Sequence, residues 1–267
     1  MIKGLRLLKI KDQHNISEAV FNEILEVMEI SRITLYKLQK FLGKQVPIEP
    51  NLVDCCVNSC VAFTGENTNK DRCPTCNEER YKVGKNREKL SEGRKKATYW
   101  SVINSLQMQY NDKKRAQLLR YRNEYINTDE YSAKNKIGDV FDGLCYKNLT
   151  RAGFFTNRRD VALLGSTDGF QLFRQKRDDC WVVLLINANL PPEIRVEREN
   201  LIIAAMFPGP KAPKDFNSFL RPLVNELKQL QGKKNSFLPD NFRFLAKFTV
   251  QKVIICADNN FLNCKFI

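Results

Sequence analysis

Cys56 and Cys60 have three residues between them, Cys73 and Cys76 have two, and a gap of twelve separates the pairs in "CVNSCVAFTGENTNKDRCPTC". Each pair places two thiolates on one tight turn, and two such turns meet to give a tetrahedral S₄ site suited to Zn²⁺. Pro74 sets the second turn. Cys55 competes with Cys56, but pairing Cys55 with Cys60 makes a wider loop, which favours Cys56. The one histidine, His14, lies far away along the chain, so a Cys₂His₂ set is not expected. A closed S₄ site is structural, because it leaves no coordination position for water, and it lets a small ribbon fold around a poor core. Cys145, Cys180, Cys256 and Cys264 are dispersed and read as buried thiols.

A second chemistry is suggested by "VALLGSTDGFQLF", residues 161–173. Its Val, Ala and Leu read as a buried strand, yet the strand carries Asp168. An unpaired carboxylate in apolar surroundings is costly and calls for a partner or a cation. Asp258 closes a later strand, "AKFTVQKVIICAD". If the two strands are neighbours, their carboxylates converge. Close carboxylates repel unless a divalent cation neutralises them, and a hard oxygen site of this kind holds Mg²⁺ or Mn²⁺ for two-metal phosphoryl transfer. Gly169 would leave room for backbone or ligand to approach Asp168. A strand-end aspartate such as Asp258 also serves as an ordinary turn or cap residue.

The elements that must position these residues follow from periodicity and charge. The chain has 267 residues, 44 Lys and Arg against 30 Asp and Glu, and a formal charge of +14. That excess favours an anionic partner, nucleic acid first among them. "WVVLLI" and "LIIAAMF" are the longest apolar runs, too short to cross a bilayer, so no membrane role is expected. The start shows no apolar segment of signal-peptide length, and a nuclear or cytoplasmic location is expected, where thiols stay reduced.

Residues 16–45 read as two helices. Ser17 caps the first, with Val20, Ile24, Leu25 and Met28 as its stripe; Ser31 caps the second, with Leu35, Leu38 and Leu42 as its stripe and Gly43 as its stop. The pair is either a plain helical hairpin or a DNA-reading helix-turn-helix. From Arg80 to Arg122 there are thirteen basic residues and three acids, with helices expected near 98–110 and 112–124. Arg94, Lys95, Lys96, Lys113, Lys114 and Arg115, with Tyr99, Trp100, Tyr110 and Tyr121 interleaved, form either solvated helix faces or a phosphate-contacting surface. Beyond residue 160, "VALLGSTDGFQLF" and "CWVVLLINANL" read as a hairpin and "ENLIIAAMF" as a third strand. "DFNSFLRPLVNELKQLQG" reads as a helix with Leu220, Leu223, Val224, Leu227 and Leu230 on one face and Gly232 ending it, and a fourth strand follows.

The phrases "CVNSCVAFTGE…CPTCNEERY", "DVFDGLCY", "LGSTDGFQLF", "NLPPEIR" and "ENLIIAAMFPGPKAPKDFNSFLRPLVNELKQL", with the "AD" after the fourth strand, come in an order that resembles the CACTA-type (En/Spm-like) transposases. The resemblance spans roughly residues 50–258. It implies a zinc-binding cysteine segment and a ribonuclease-H-like core that uses three acids and Mg²⁺ to cut and join DNA. By that resemblance Asp168, in "TDGF", matches the first acid and Asp258 the second, although Asn259 and Asn260 stand where the family tends to have "PA". The third acid lies on a later helix in the family, and no carboxylate follows Asp258 here. Asp178, Asp179 and Asp240 are poor substitutes, being expected in a hairpin turn and a loop.

The resulting expectation is an α+β, multi-domain chain. Residues 1–48 form a helical segment, 49–84 a Cys₄ zinc ribbon, 85–155 a basic helical segment, and 156–267 an incomplete ribonuclease-H-like domain of order β-β-β-α-β. The function expected is that of a CACTA-type transposase fragment that binds DNA, holds a partial Mg²⁺ or Mn²⁺ site and catalyses little alone. Its partners would be DNA and a second chain, either its own or another transposase. The alternative is a nucleic-acid-binding or adaptor module without catalysis, built on the zinc ribbon and the basic segment.

Overall fold

Local capping and apolar spacing generate the first three helices. The computed structural model describes residues 2–28, 33–45, 49–86, 88–132, 137–171, 179–209 and 211–230. They fall into two compact units, Met1–Glu49 and Pro50–Ile267. In the first, α1 (Ile2–Gln13), α2 (Glu18–Val27) and α3 (Leu35–Gln45) enclose Phe21, Leu25, Leu35 and Leu38. Ser17 caps α2 as expected, its Oγ accepting from the Val20 N–H at 3.3 Å. Ser31 lies outside the described residues. The hydroxyl at the start of α3 is that of Thr34, which accepts from the Lys37 N–H.

Two details of this unit depart from the sequence reading. The α2 stripe is turned toward Phe21 and Leu25, leaving Val20 and Met28 exposed, because Phe21 offers the larger apolar area. Gly43 sits inside α3 rather than stopping it. Gly4 has a different use: a Cβ there would come within 3.1 Å of Leu38, so its absence lets α1 approach α3 closely.

The second unit is organised by one antiparallel sheet. Its strands are β1 (Asn51–Asp54), β4 (Lys96–Tyr99), β5 (Leu163–Gln171), β6 (Asp179–Asn187) and β7 (Leu201–Pro208), ordered β1-β4-β7-β6-β5. A separate hairpin joins β2 (Tyr81–Val83) to β3 (Lys89–Gly93). The residues 49–84, 85–155 and 156–267 therefore contribute to one unit, the first two each lending a strand to the sheet of the third. The β5–β6 hairpin and β7 stand where the apolar runs place them. The fourth strand expected near 246–258 and the helix stop at Gly232 lie outside the described residues, as do Cys256 and Cys264.

The segment 85–155, expected to be basic and helical, opens instead with β3 and β4. In β4, Ala97 and Tyr99 face inward while Lys96 and Thr98 face out, a two-residue period carried by too few residues to stand out among lysines. Helices follow only from Ser101, whose Oγ caps α4 (Val102–Asn111) through the Asn104 N–H at 3.1 Å. Asp112 then caps α5 (Lys113–Leu118), and the chain breaks again before α6 (Tyr121–Tyr125), so the helix expected over 112–124 is two short ones. Short α7 (Asp129–Ser132), α8 (Leu144–Arg151) and α9 (Pro192–Arg195) complete the connections. Among the described residues no helix is long and apolar enough to cross a membrane.

α10 (Phe216–Leu230) supplies the main core. Leu220, Leu223, Leu227 and Leu230 are buried with Phe219 against Val183, Leu185 and Phe207, as the heptad-like spacing predicts. Pro222 lies within the helix and has no N–H to give the Ser218 carbonyl four residues earlier. That carbonyl accepts from the Thr64 Oγ at 2.6 Å, and the next one, of Phe219, accepts from the Tyr99 hydroxyl at 2.7 Å.

A second cluster of Phe141, Tyr146, Phe155, Ala162 and Ala188 is pinned by a buried ion pair. Arg195 donates through both terminal nitrogens to Asp139, at 2.7 and 3.1 Å, and Tyr121 donates to the same carboxylate at 2.8 Å. Removing one member leaves a buried charge unpaired, which costs about 3–5 kcal/mol. Arg195→Ala is therefore expected to lower unfolding stability by about 3 kcal/mol in urea titration. A loss below about 1 kcal/mol would show that the pair is dispensable.

Candidate metal centre

The two cysteine turns are built by backbone geometry that each sequence permits. In the first, the Ser59 N–H donates to the Cys56 carbonyl and the Cys56 N–H to that of Val61, both at 2.9 Å, with Ser59 at φ +56°. In the second, the Asn77 N–H donates to the Cys73 carbonyl at 2.9 Å and the Cys73 N–H to that of Glu78 at 2.8 Å, with Asn77 at φ +60°. Asparagine tolerates this left-handed conformation better than most side chains.

The turns bring the Sγ atoms of Cys56, Cys60, Cys73 and Cys76 within 4.8 Å of one another. Zn–S bonds of about 2.3 Å place tetrahedral sulfurs about 3.8 Å apart, so small shifts, among them a slight opening of the 3.4 Å Cys56–Cys76 pair, suffice to close the site on Zn²⁺. Cys56, Cys60 and Cys73 are buried and Cys76 is half-buried. The Asn58 backbone N–H points at the Cys56 sulfur at 3.4 Å, and its side-chain amide at that of Cys76 at 3.6 Å. Such N–H donors stabilise thiolate and orient it.

Cys55 is a core residue, not a ligand. It faces the cluster of Ala62, Ala97 and Tyr99, opposite to its neighbour Cys56, as extended backbone requires. Burial pushes its thiol up to about 12. Within the cluster, burial and then the neighbouring thiols push Cys60 up to about 12, and burial also raises Cys56. Burial acts upward on Cys76 too, but the Glu78 N–H, the Asn58 amide and the Cys56 and Cys73 thiols bring it down to about 6. A metal bound here would displace protons from Cys56 and Cys60, whose thiols are raised, more than from Cys76, whose thiol is lowered.

The first cysteine turn is fastened to the start of α10. The Lys214 N–H donates to the Ser59 carbonyl at 3.1 Å and the Asp215 N–H to that of Cys60 at 2.9 Å. The Ala62 N–H donates to the Ser218 Oγ at 2.9 Å. Arg80 pairs with Asp54 at 2.8 Å while its guanidinium lies over Phe63 and Tyr81.

Of the basic candidates, Arg94 pairs with Glu78 at 2.7 Å and Lys95 donates to the Val57 carbonyl at 3.0 Å, so both brace the cysteine turns. Lys96 opens β4 opposite Asp54. Lys113 and Lys114 are exposed on α5, and Arg115 lies 4.0 Å from Glu199. Among the interleaved aromatics, Tyr99 is buried, and Tyr110 and Tyr121 are packed against the two core clusters.

Asp168 is not buried. It is exposed on β5, which ends the sheet among the described residues, and its carboxylate accepts from the Gly169 N–H at 2.8 Å. Gly169 is required by a neighbour rather than by a ligand: a Cβ there would come within 2.8 Å of the Trp181 ring. Asp258, Asp178 and Asp240 lie outside the described residues, and Asp179 begins β6. Two other acids of this unit are held by hydrogen bonds. Asp142 accepts from Tyr125 and from the Gly138 and Asp139 N–H groups, and Glu226 caps α4 through Ser101, Val102 and Ile103. The residues that sequence reasoning missed are Thr64, Lys214 and Ser218; Pro222, a proline within a helical pattern, signals the contact of Thr64 with Ser218.

Residues 134–264 match the family model of the transposase family tnp2. The match covers just under half of the chain, includes β5, β6, β7 and α10, and begins well after the four cysteines. It supports a transposase-type function, and with it an interaction with DNA, for this part of the protein. No curated protein and no solved structure matches the chain significantly.

The chain is expected to bind one Zn²⁺, or one Co²⁺ with the absorption of a tetrahedral thiolate site. Cys73→Ser should abolish that spectrum while Cys55→Ser keeps it. Because binding expels protons from the raised thiols, chelator competition should show affinity rising from about pH 6 to about pH 8.

Proposed function

We propose that this chain is part of a CACTA-type DNA transposase, with a ribonuclease-H-like core beginning at β5 and a structural Zn²⁺ on the four cysteines. The observation that carries the reading is the position of Asp168. It is exposed on the first strand of an antiparallel β5-β6-β7 sheet followed by α10, inside the span similar to a transposase family.

Asp168 and Asp258 would hold Mg²⁺ or Mn²⁺, hard cations matched to carboxylate oxygen. When bound, such ions supply charge neutralisation at the attacking and leaving oxygens of a phosphodiester. The role of Asp168 is to present a solvent-reachable carboxylate from a rigid strand, held in place by the Gly169 N–H and by the cross-strand partner Val182. On this reading the chain binds DNA and metal. DNA and a further transposase chain are the partners, and the nucleus is the place of action.

Manganese is the direct probe. Mn²⁺ should broaden the amide resonances of Ser166 to Gly169 in the wild-type chain and spare them in Asp168→Asn. The chain should also bind duplex DNA in a salt-dependent way. Unchanged resonances in the wild-type chain would contradict this assignment.

A further inference from the structure

The helical unit of residues 2–45 separates its charges by helix. α2 carries Glu18, Glu23 and Glu26 and no cation, whereas α3 carries Lys37, Lys40 and Lys44 and no acid. α1 adds Lys3, Arg6, Lys9 and Lys11 against Asp12 alone. Solvated helices ordinarily mix signs along one face, where pairs four residues apart help the helix. α3 has no acid with which to do so.

The geometry of α3 sharpens the point. Leu35 and Leu38 point into the core, and the face directly opposite them bears Tyr36, Lys37, Lys40 and Lys44. Tyr36 is 66 % exposed, with the Lys40 ammonium 5.6 Å from its ring centre. An aromatic ring left in water amid lysines fits a surface that offers both phosphates and stackable or apolar base edges. At 11 residues, α3 is about 16 Å long, and a helix of that size enters a DNA major groove.

We propose that α3 is a duplex-DNA-binding helix, with Tyr36, Lys37, Lys40 and Lys44 as its contact face. The partner is chosen by charge complementarity: the face is purely basic, it carries an exposed aromatic, and a helix supported by two others is a rigid way to present it. The inference rests on the DNA-binding reading above and gives the chain a contact surface separate from the sheet that bears Asp168.

The test uses the full chain and a labelled DNA duplex of about 30 base pairs, with binding measured by anisotropy across a salt series. Lys37→Ala, Lys40→Ala and Lys44→Ala together should weaken binding at least tenfold and flatten the log–log salt slope by roughly three. All three are exposed, and helical circular dichroism checks that the unit still folds. A second variant, Tyr36→Ala, changes no charge and should weaken binding while leaving the salt slope in place. Wild-type binding with both variants unchanged would overturn the role of α3 and leave the transposase reading intact. No binding by the wild type would overturn both. Loss of self-association in place of loss of DNA binding would show that the basic α3 instead meets the acidic α2 of a second copy, which also overturns the proposal.

Discussion

Pro222 and the hydrogen bonds around it decide how the second unit holds together. A proline within α10 denies the Ser218 carbonyl its helical partner, and Thr64 from the cysteine segment takes that place. Ser218 answers with its side chain, which accepts from the Ala62 N–H. Two further backbone bonds, from Lys214 and Asp215 to Ser59 and Cys60, fix the metal-binding turn itself to the approach of the same helix. A cysteine module with little apolar core of its own thereby becomes part of the sheet that carries Asp168. The cysteine turn and α10 stabilise one another, because each closes backbone groups the other would leave unpaired.

The same economy explains why so many acids near the sheet are unavailable for chemistry. "DVFDGLCY" and "NLPPEIR" meet through Asp139 and Arg195, and the second aspartate of the first phrase, Asp142, collects N–H groups and the Tyr125 hydroxyl. These phrases hold the fold. Asp168 differs by being exposed on a strand in a sheet whose other side is packed, and that difference is what makes it a candidate ligand.

Much of this was legible in the sequence, for identifiable reasons. Ligand chemistry constrains cysteine spacing directly, so Cys56, Cys60, Cys73 and Cys76 could be named before any fold was known. The apolar runs of β5, β6 and β7 and the leucine stripe of α10 are long enough for their periods to show. β4 was hidden because four residues with a flanking lysine carry almost no period, and its partners lie far away along the chain in β1 and β7. The exposure of Asp168 was misread because an apolar strand looks the same at the middle and at the end of a sheet. Arg94 and Lys95 read as surface charge because nothing local announces that Glu78 and the Val57 carbonyl wait for them. Gly169 was correctly singled out, but its cause, the Trp181 ring across the strand pair, is a tertiary fact.

If the cysteine cluster and the sheet form one cooperative unit, metal removal must be felt beyond the cysteines. Hydrogen exchange of the zinc-loaded and chelator-treated chain, read peptide by peptide, tests this directly. The account predicts that chelation deprotects β7 and the first turns of α10, residues 201–220, along with the cysteine turns. Deprotection confined to residues 55–80, with β7 and α10 unchanged, would contradict it.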